Sequence, residues 1–366
     1  MKYIGDFGVL TNLTYSCFHL RTHLPQERYW VDHQPFLFSR GYMLRPRYRP
    51  GWVASWTQAG AKFDPELNNV HDFEDSRPNV LDAIRISDGS KVVLKRVHTW
   101  TAEIGIALYL NSPELRQDSH NRTFRLLDVI PLSDDDDFAI LVMPFLRKFN
   151  RPKFCNLHEI TEAMRQFLQG LKFMHTYNIA HRDACAGNMM MDATRVIPGG
   201  HHFSAPWSKD GVADLYWRAR SSVSPVNYYF IDFGLSDYCP AGPENTRVVG
   251  VFGQDKTVPE LSKTIPYNPF KVDIYQLGNV FNALVKKYPG MAPHFGPLAT
   301  SMTQRSPDER PTSSQALAHF EIICSHLTAT DLASRLERHF PTTGFISDSN
   351  AEEQISGDVE MLKLVD

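Results

Sequence analysis

The sequence predicts an α+β protein of two lobes, a small β-rich N-lobe and a larger helical C-lobe with a cleft between them. Strand-like stretches crowd residues 78–146, and helix-like stretches dominate residues 147–340. Such segregation, rather than strand–helix alternation, marks elements that pack as separate layers around a shared cleft. At 366 residues the chain suits one bilobal domain with extensions better than two large domains.

Residues 1–77 form an extension rich in aromatics and arginine, and Pro35, Pro46 and Pro50 predict irregular structure packed on the domain that follows. VLDAIRIS and KVVLKRV, separated by Asp88-Gly89-Ser90, read as a hairpin. AEIGIALYL is a short helix with Ile104, Leu108 and Leu110 on one face. TFRLLDVIPL and FAILVMPFL are two more strands, joined by an acidic turn over Ser133–Asp137 that reads as a solvated tip.

Beyond Leu146, HEITEAMRQFLQGLKFMHTYN repeats apolar residues at helical spacing. IAHRDACAGNMMMD follows it. An insertion over about 193–225 then breaks the pattern with Gly, Pro, Ser and His, and its adjacent His201 and His202 read as part of a solvated loop. YYFIDFG resumes as a strand. KVDIYQLGNVFNALVKKY is apolar nearly all round, hence a buried helix, and further helices occupy 312–340. The acidic tail, 341–366, reads as disordered.

Composition removes several function classes. With 38 basic against 41 acidic residues, no nucleic acid and no anionic membrane is expected as the main partner. Five cysteines, odd in number and never in a CxxC pair, exclude a disulfide scaffold and a zinc ribbon. No apolar run approaches the roughly 20 residues of a membrane span, and the N-terminus, broken by Asp6, Asn12 and His19, lacks a signal-peptide core. A cytoplasmic protein with possible nuclear access, monomeric, is expected.

The chemistry-bearing residues come in a fixed order: Lys95 ending VVLK, Glu103, HRDACAGN with His181, Arg182, Asp183 and Asn188, then Asp232 in FIDFG, Glu260 ending VPE, Asp273 and Arg310. DFG alone is a common tripeptide, but HRD with Asn five positions on and then IDFG is specific. This arrangement resembles the eukaryotic protein kinase family over about residues 78–325. The resemblance implies binding of Mg·ATP, with Asn188 and Asp232 as Mg ligands and Lys95, fixed by Glu103, on the α/β-phosphates. It implies that Asp183 accepts the proton of the attacking hydroxyl. Met143 matches the gatekeeper position. Adenine recognition would use the Pro144 carbonyl, which proline retains, and the Leu146 N–H. Asp273 and His181 would brace the catalytic loop, and Glu260 with Arg310 would anchor the activation segment. In the family the arginine at Arg182 marks control by an activation-loop phosphate, for which Ser236, Thr246 and Thr257 are the available acceptors; an unphosphorylated loop held by other contacts is the equal alternative.

The chain departs from the family at three places. No GxGxxG precedes Lys95. Glu103 stands only eight residues after Lys95, less than half the usual separation, in the first turn of its helix, where a carboxylate also serves the dipole. Cys185 replaces the lysine that serine/threonine kinases carry two positions after the catalytic aspartate, and no arginine stands near Gly187, where tyrosine kinases have one. Lys256 is a candidate substitute for that charge. Cys185 itself reads as a buried cysteine or as a reactive thiol. RYWVDHQPFLFSRGYMLRPRYRPGW and the insertion after Asp192 are similar to a fungal, mushroom-type kinase-like group, a similarity that implies no substrate. The leading reading is a protein Ser/Thr kinase acting on a protein substrate, at a rate that the missing charge at Cys185 is expected to lower. A pseudokinase scaffold and a small-molecule phosphotransferase of the aminoglycoside or choline kinase type remain alternatives.

Overall fold

The computed structural model describes residues 23, 25–53, 78–133, 135–210 and 213–337. The acidic tail and most of the extension lie outside them. A five-stranded antiparallel sheet, in the order β1-β2-β3-β5-β4, forms the N-lobe from β1 (Tyr42–Leu44), β2 (Val80–Arg85), β3 (Lys91–His98), β4 (Asp128–Pro131) and β5 (Phe138–Pro144). The β2–β3 hairpin falls where the sequence predicts it, and its register sets Lys95 opposite Val80 on one side and Leu141 on the other.

The run FAILVM in β5 is apolar without alternation because both faces of the sheet are covered. Ile140 and Val142 pack with Trp30 and Leu37 of α1 (Pro25–Ser39). Leu141 and Met143 pack with Ile106, Ala107 and Leu110 of α2 (Glu103–Leu110).

Over its described residues, 25–53, the extension is therefore not irregular. Glu27, Trp30, Gln34 and Leu37 recur at helical spacing and are the buried residues of α1. Pro35 is exposed, so the backbone bond it forfeits falls on the solvent side. Gln34 accepts the Leu44 N–H (3.0 Å), and Glu27 receives a buried two-point bond from Arg47 (2.7 and 2.8 Å). These contacts tie α1 to β1, whose pairing with β2 completes the sheet.

β6 (Arg147–Lys148) leads into the C-lobe, where it pairs with β8 (Met189–Met191), itself paired with β9 (Tyr228–Phe230). A short α3 (Pro113–Arg116) precedes β4. The C-lobe core gathers on α4 (Leu157–Thr176), capped by the Asn156 side chain on the Glu159 N–H (3.1 Å), and on the buried helix α6 (Pro269–Lys287). Between these lie β7 (Ile179–Ala180), β10 (Asp237–Tyr238), α5 (Gly242–Asn245), β11 (Val248–Gly250) and β12 (Ser262–Tyr267). Helices α7 (Ala292–Met302), α8 (Ser313–Ser325) and α9 (Ala329–Ala333) close the lobe. Among the described residues no helix is long and apolar enough to cross a membrane.

The insertion is folded onto the connection between the lobes, which corrects the solvated-loop reading of its histidines. His201 and His202 are buried, and the His201 ring stacks on Phe145 with centroids 4.4 Å apart. Lys91 of β3 lies over the other partner in this cluster, 4.8 Å from the Phe145 ring centre, and donates to the His201 carbonyl (3.3 Å). Arg220 donates to the carbonyls of Phe149, Pro152 and Lys153, and Arg147 donates to that of Pro206.

Candidate active site

Lys95 enters the cleft from β3. Residues 99–102 then turn the chain into α2, so Glu103 arrives in the first turn despite the short separation. The Lys95 ammonium lies 2.5 Å from Glu103 Oε1 and 2.8 Å from Asp232 Oδ1. Burial works against charge on Lys95, but the two carboxylates outweigh it and raise its pKa. Burial, and the charge of Asp232 after it, raise the Glu103 carboxyl against the pull of Lys95. For Asp232 burial is overcome by Lys95 and the Gly234 N–H, which hold the carboxyl below the ordinary range.

Asp232 (φ 66°) and Arg182 (φ 64°) both occupy the left-handed region, which is uncommon for side chains of this size and typical of functional sites. Neighbouring groups enforce it at Arg182. Asp273 of α6, fully buried, accepts the His181 N–H (2.8 Å), the Arg182 N–H (2.6 Å) and His175 Nε2–H (2.9 Å). One turn on, Gln276 accepts the Ala184 N–H (2.8 Å) and donates to the Arg182 carbonyl (3.2 Å). The spacing of Asp273 and Gln276 thus grips the catalytic loop from one face of a buried helix. His181 is ringed by Phe230 and Phe233 and bonded to the Ile231 carbonyl (3.1 Å).

Asn188 stands beside Asp232 because the Ile231 N–H donates to the Asn188 carbonyl (3.0 Å). Its Nδ2 donates to Asp183 Oδ2 (2.9 Å) and to the Asp183 carbonyl (3.0 Å). Two further donors on Asp183 come from Gln254, a residue the motif reading passed over. The Gln254 N–H meets Oδ1 at 2.8 Å, and its Nε2 meets Oδ2 at 3.0 Å. The clue available in the sequence was Gly187, whose missing side chain leaves the room that the Gln254 amide fills.

Cys185 is buried, and burial together with the Asp183 charge pushes its thiol up, which fits an inert cysteine and not a reactive thiolate. Lys256, the candidate substitute for the missing charge, is exposed and donates to the Val251 carbonyl (3.0 Å). Arg182 has a carboxylate partner of its own, Asp237. Of the expected phosphate acceptors, Ser236 is buried with its hydroxyl on the His181 carbonyl, and the Thr246 hydroxyl is bonded to the Gly242 carbonyl. Thr257 is exposed and donates to Asp255. Glu260 and Arg310 form a two-point pair (2.5 and 2.8 Å) that is closed to solvent on the arginine side.

The site can be tested for a divalent cation by its donors. Asp232 offers a carboxylate and Asn188 an amide oxygen on backbone segments joined by the Ile231 N–H, and among the described residues Lys95 is the cation paired with Glu103 and Asp232. Mg²⁺ needs few protein oxygens when phosphates and waters supply the rest, so the set fits it. Among the described residues no three His, Cys, Asp or Glu side chains converge as a metal cage. Met143 and Pro144 end β5 and Leu146 follows, which sets these three on the connection between the lobes.

No protein-family profile matches this chain. It is 26% identical over 280 residues to mitogen-activated protein kinase 13 of Bos taurus, a match spanning 66% of this chain and 73% of that protein. The serine/threonine-protein kinase ppk8 of Schizosaccharomyces pombe is 26% identical over 194 residues, 52% of this chain and 31% of ppk8. A crystal structure of the Rad53 kinase domain and SCD2 overlays with a TM-score of 0.41 at 17% identity, covering 66% of this chain and 82% of that one. A strand-rich lobe, a helical lobe and this cleft define the bilobal α+β kinase fold. The sequence matches give the same likeness, to protein kinases, at 26% identity.

Proposed function

We propose that this protein is a protein kinase that transfers the γ-phosphoryl group of Mg·ATP to serine or threonine hydroxyls of a protein substrate. The observation that carries the reading is the convergence of Lys95, Glu103 and Asp232 in one ion-paired cluster, with Asn188 linking that cluster to Asp183. Phosphoryl transfer asks for positioning and charge stabilisation more than covalent chemistry. Lys95 would hold the α/β-phosphates, and Glu103 fixes its ammonium. Asn188 and Asp232 would hold Mg²⁺, which neutralises phosphate charge when bound. Asp183 would orient the acceptor hydroxyl and take its proton. The Pro144 carbonyl and Leu146 N–H would take the adenine edge.

The Arg182–Asp237 pair supports a second element of the reading, activity without an activation-loop phosphate. A guanidinium already facing a carboxylate has its counter-charge supplied by the chain. A phosphate brought there would meet Asp237 as a like charge.

Incubation of the purified protein with Mg·ATP and a protein acceptor, followed by intact-mass analysis, tests transfer. Phosphate gained by wild type and lost in Asp183→Asn supports it. ATP binding without transfer in either would favour a nucleotide-binding scaffold, to which the missing glycine-rich loop is also suited.

A further inference from the structure

Asp183 is the group on which the proposed transfer depends, and its carboxylate is held in an unusual way. Its partners among the described residues carry no formal charge: Asn188 Nδ2 on Oδ2, Gln254 Nε2 on Oδ2 and the Gln254 N–H on Oδ1, with the Cys185 thiol bonded to the same carboxylate. A carboxylate has about four lone-pair sites, two on each oxygen. Two amides are seated on Oδ2 and one on Oδ1, so Oδ1 is the less heavily held oxygen.

The backbone around Gln254 is built for this contact. Gly253 adopts φ 93°, and a side chain there would stand 3.0 Å from the Arg182 carbonyl. Across the gap, a Cβ at Gly187 would lie 2.5 Å from the Gln254 Oε1. Two glycines thus admit one amide, from opposite walls, onto one carboxylate. Gln254 is itself exposed whereas Asp183 is buried, so the amide lies on the solvent side of the carboxylate it holds.

We propose that Gln254 is the positioning residue of the transfer: its backbone and side-chain amides fix the Asp183 carboxylate so that Oδ1 is the acceptor for the substrate's proton. The inference rests on the kinase reading above. In the step, the acceptor O–H gives its proton to Oδ1 while its oxygen bonds to phosphorus. The departing ADP keeps the electron pair of the broken P–O bond, and Asp183 later releases the proton to solvent. Donors without formal charge do here what a cation at residue 185 or 187 would do, and they fix orientation without neutralising the carboxylate.

The test is steady-state transfer by wild type, Gln254→Ala and Gln254→Glu, each also in the Asp183→Asn background, with labelled Mg·ATP. Misplacing a reacting group slightly is enough to cost about 10–10²-fold, so Gln254→Ala is expected to lower kcat by that amount with the KM for Mg·ATP unchanged. Gln254→Glu, the same shape with a like charge against Asp183, is expected to lose more. In the Asp183→Asn background Gln254→Ala should cost nothing further, because its effect runs through that carboxylate. Wild-type transfer with Gln254→Ala equal or faster, a loss confined to KM, or a further loss in the Asp183→Asn background overturns the positioning role and leaves the kinase reading intact. Wild type that transfers nothing overturns both.

Discussion

The two sides of the cleft hold their carboxylates by different chemistry. At the Lys95 corner, Glu103 and Asp232 share one ammonium through ion pairs of 2.5 and 2.8 Å, with the Gly234 N–H adding a longer bond to Asp232 (3.2 Å). At the Asp183 corner three amide N–H groups hold the carboxylate, beside the Cys185 thiol, and among the described residues no cation is bonded to it. A charge pair tolerates some displacement because Coulomb attraction falls off slowly with distance. An amide lattice loses its hold within a few tenths of an ångström, since hydrogen bonds weaken steeply with geometry. The Lys95 corner is therefore suited to clamp phosphates, and the Asp183 corner to aim one lone pair.

That contrast can be broken from either side. The largest effect is expected at the reacting centre, where a general base contributes about 10²–10⁴-fold. Asp183→Asn should lose transfer on that scale while ATP still protects the protein in a thermal melt. Lys95→Met should instead remove that protection as well, because it leaves two carboxylates facing the phosphates without a cation. Equal ATP protection in the two variants would contradict the division of labour.

Beneath both corners lies a second contrast, between a buried ion pair and a buried aromatic. Arg310→Ala leaves Glu260 without its partner and is expected to cost about 3–5 kcal/mol in denaturant unfolding. Trp30→Ala, in a helix before the predicted start of the domain, should cost about 3–5 kcal/mol too, through the cavity left against the sheet. A Trp30→Ala protein as stable as wild type would show that α1 is not part of the N-lobe core.

A smaller effect is expected at Asp237, whose side chain is 40% exposed. Exposed pairs are worth at most about 1 kcal/mol, so Asp237→Asn should lower activity by no more than roughly fivefold. The same protein should become sensitive to phosphate on the segment that follows, read by activity before and after phosphatase treatment.

The smallest is a pH effect at the connection between the lobes. Burial, then the charges of Arg147 and Lys91, lower the His201 pKa to about 3. Because the folded value lies below the unfolded one, the favourable difference is complete above pH 6.5 and declines as pH falls from 6.5 toward 3. Wild type should therefore lose up to about 2 kcal/mol of stability from this group between pH 7 and 5. His201→Phe should lose correspondingly less over the same range in parallel melts.

Legibility in the sequence followed residue type. Lys95, Asp183, Asn188 and Asp232 could be read because few side chains can hold phosphate, metal or a transferred proton, and they stand in a recognisable order. Glu103 could be named but its pairing could not be derived, since that depends on β3 running to His98 and α2 beginning five residues later. Gln254 carries no charge and sits in no chemical motif, and the one sequence clue, Gly187, shows that room is kept without saying which side chain fills it. Asp237 was one acidic residue among many until its distance from Arg182 singled it out. Pro35 concealed α1 because proline reports on one backbone bond, whereas the Glu27, Trp30, Gln34, Leu37 spacing reports on a whole buried face. His201 and His202 were hidden by a composition that describes the insertion's chain chemistry but not the Phe145 surface it covers.

The most direct measurement is the mass of the intact protein and of a protein acceptor after incubation with Mg·ATP, wild type beside Asp183→Asn. Phosphate on the acceptor with wild type, and little or none with the variant, is the expected result. Equal phosphate with both proteins, or none with either while ATP still binds, would contradict transfer through Asp183.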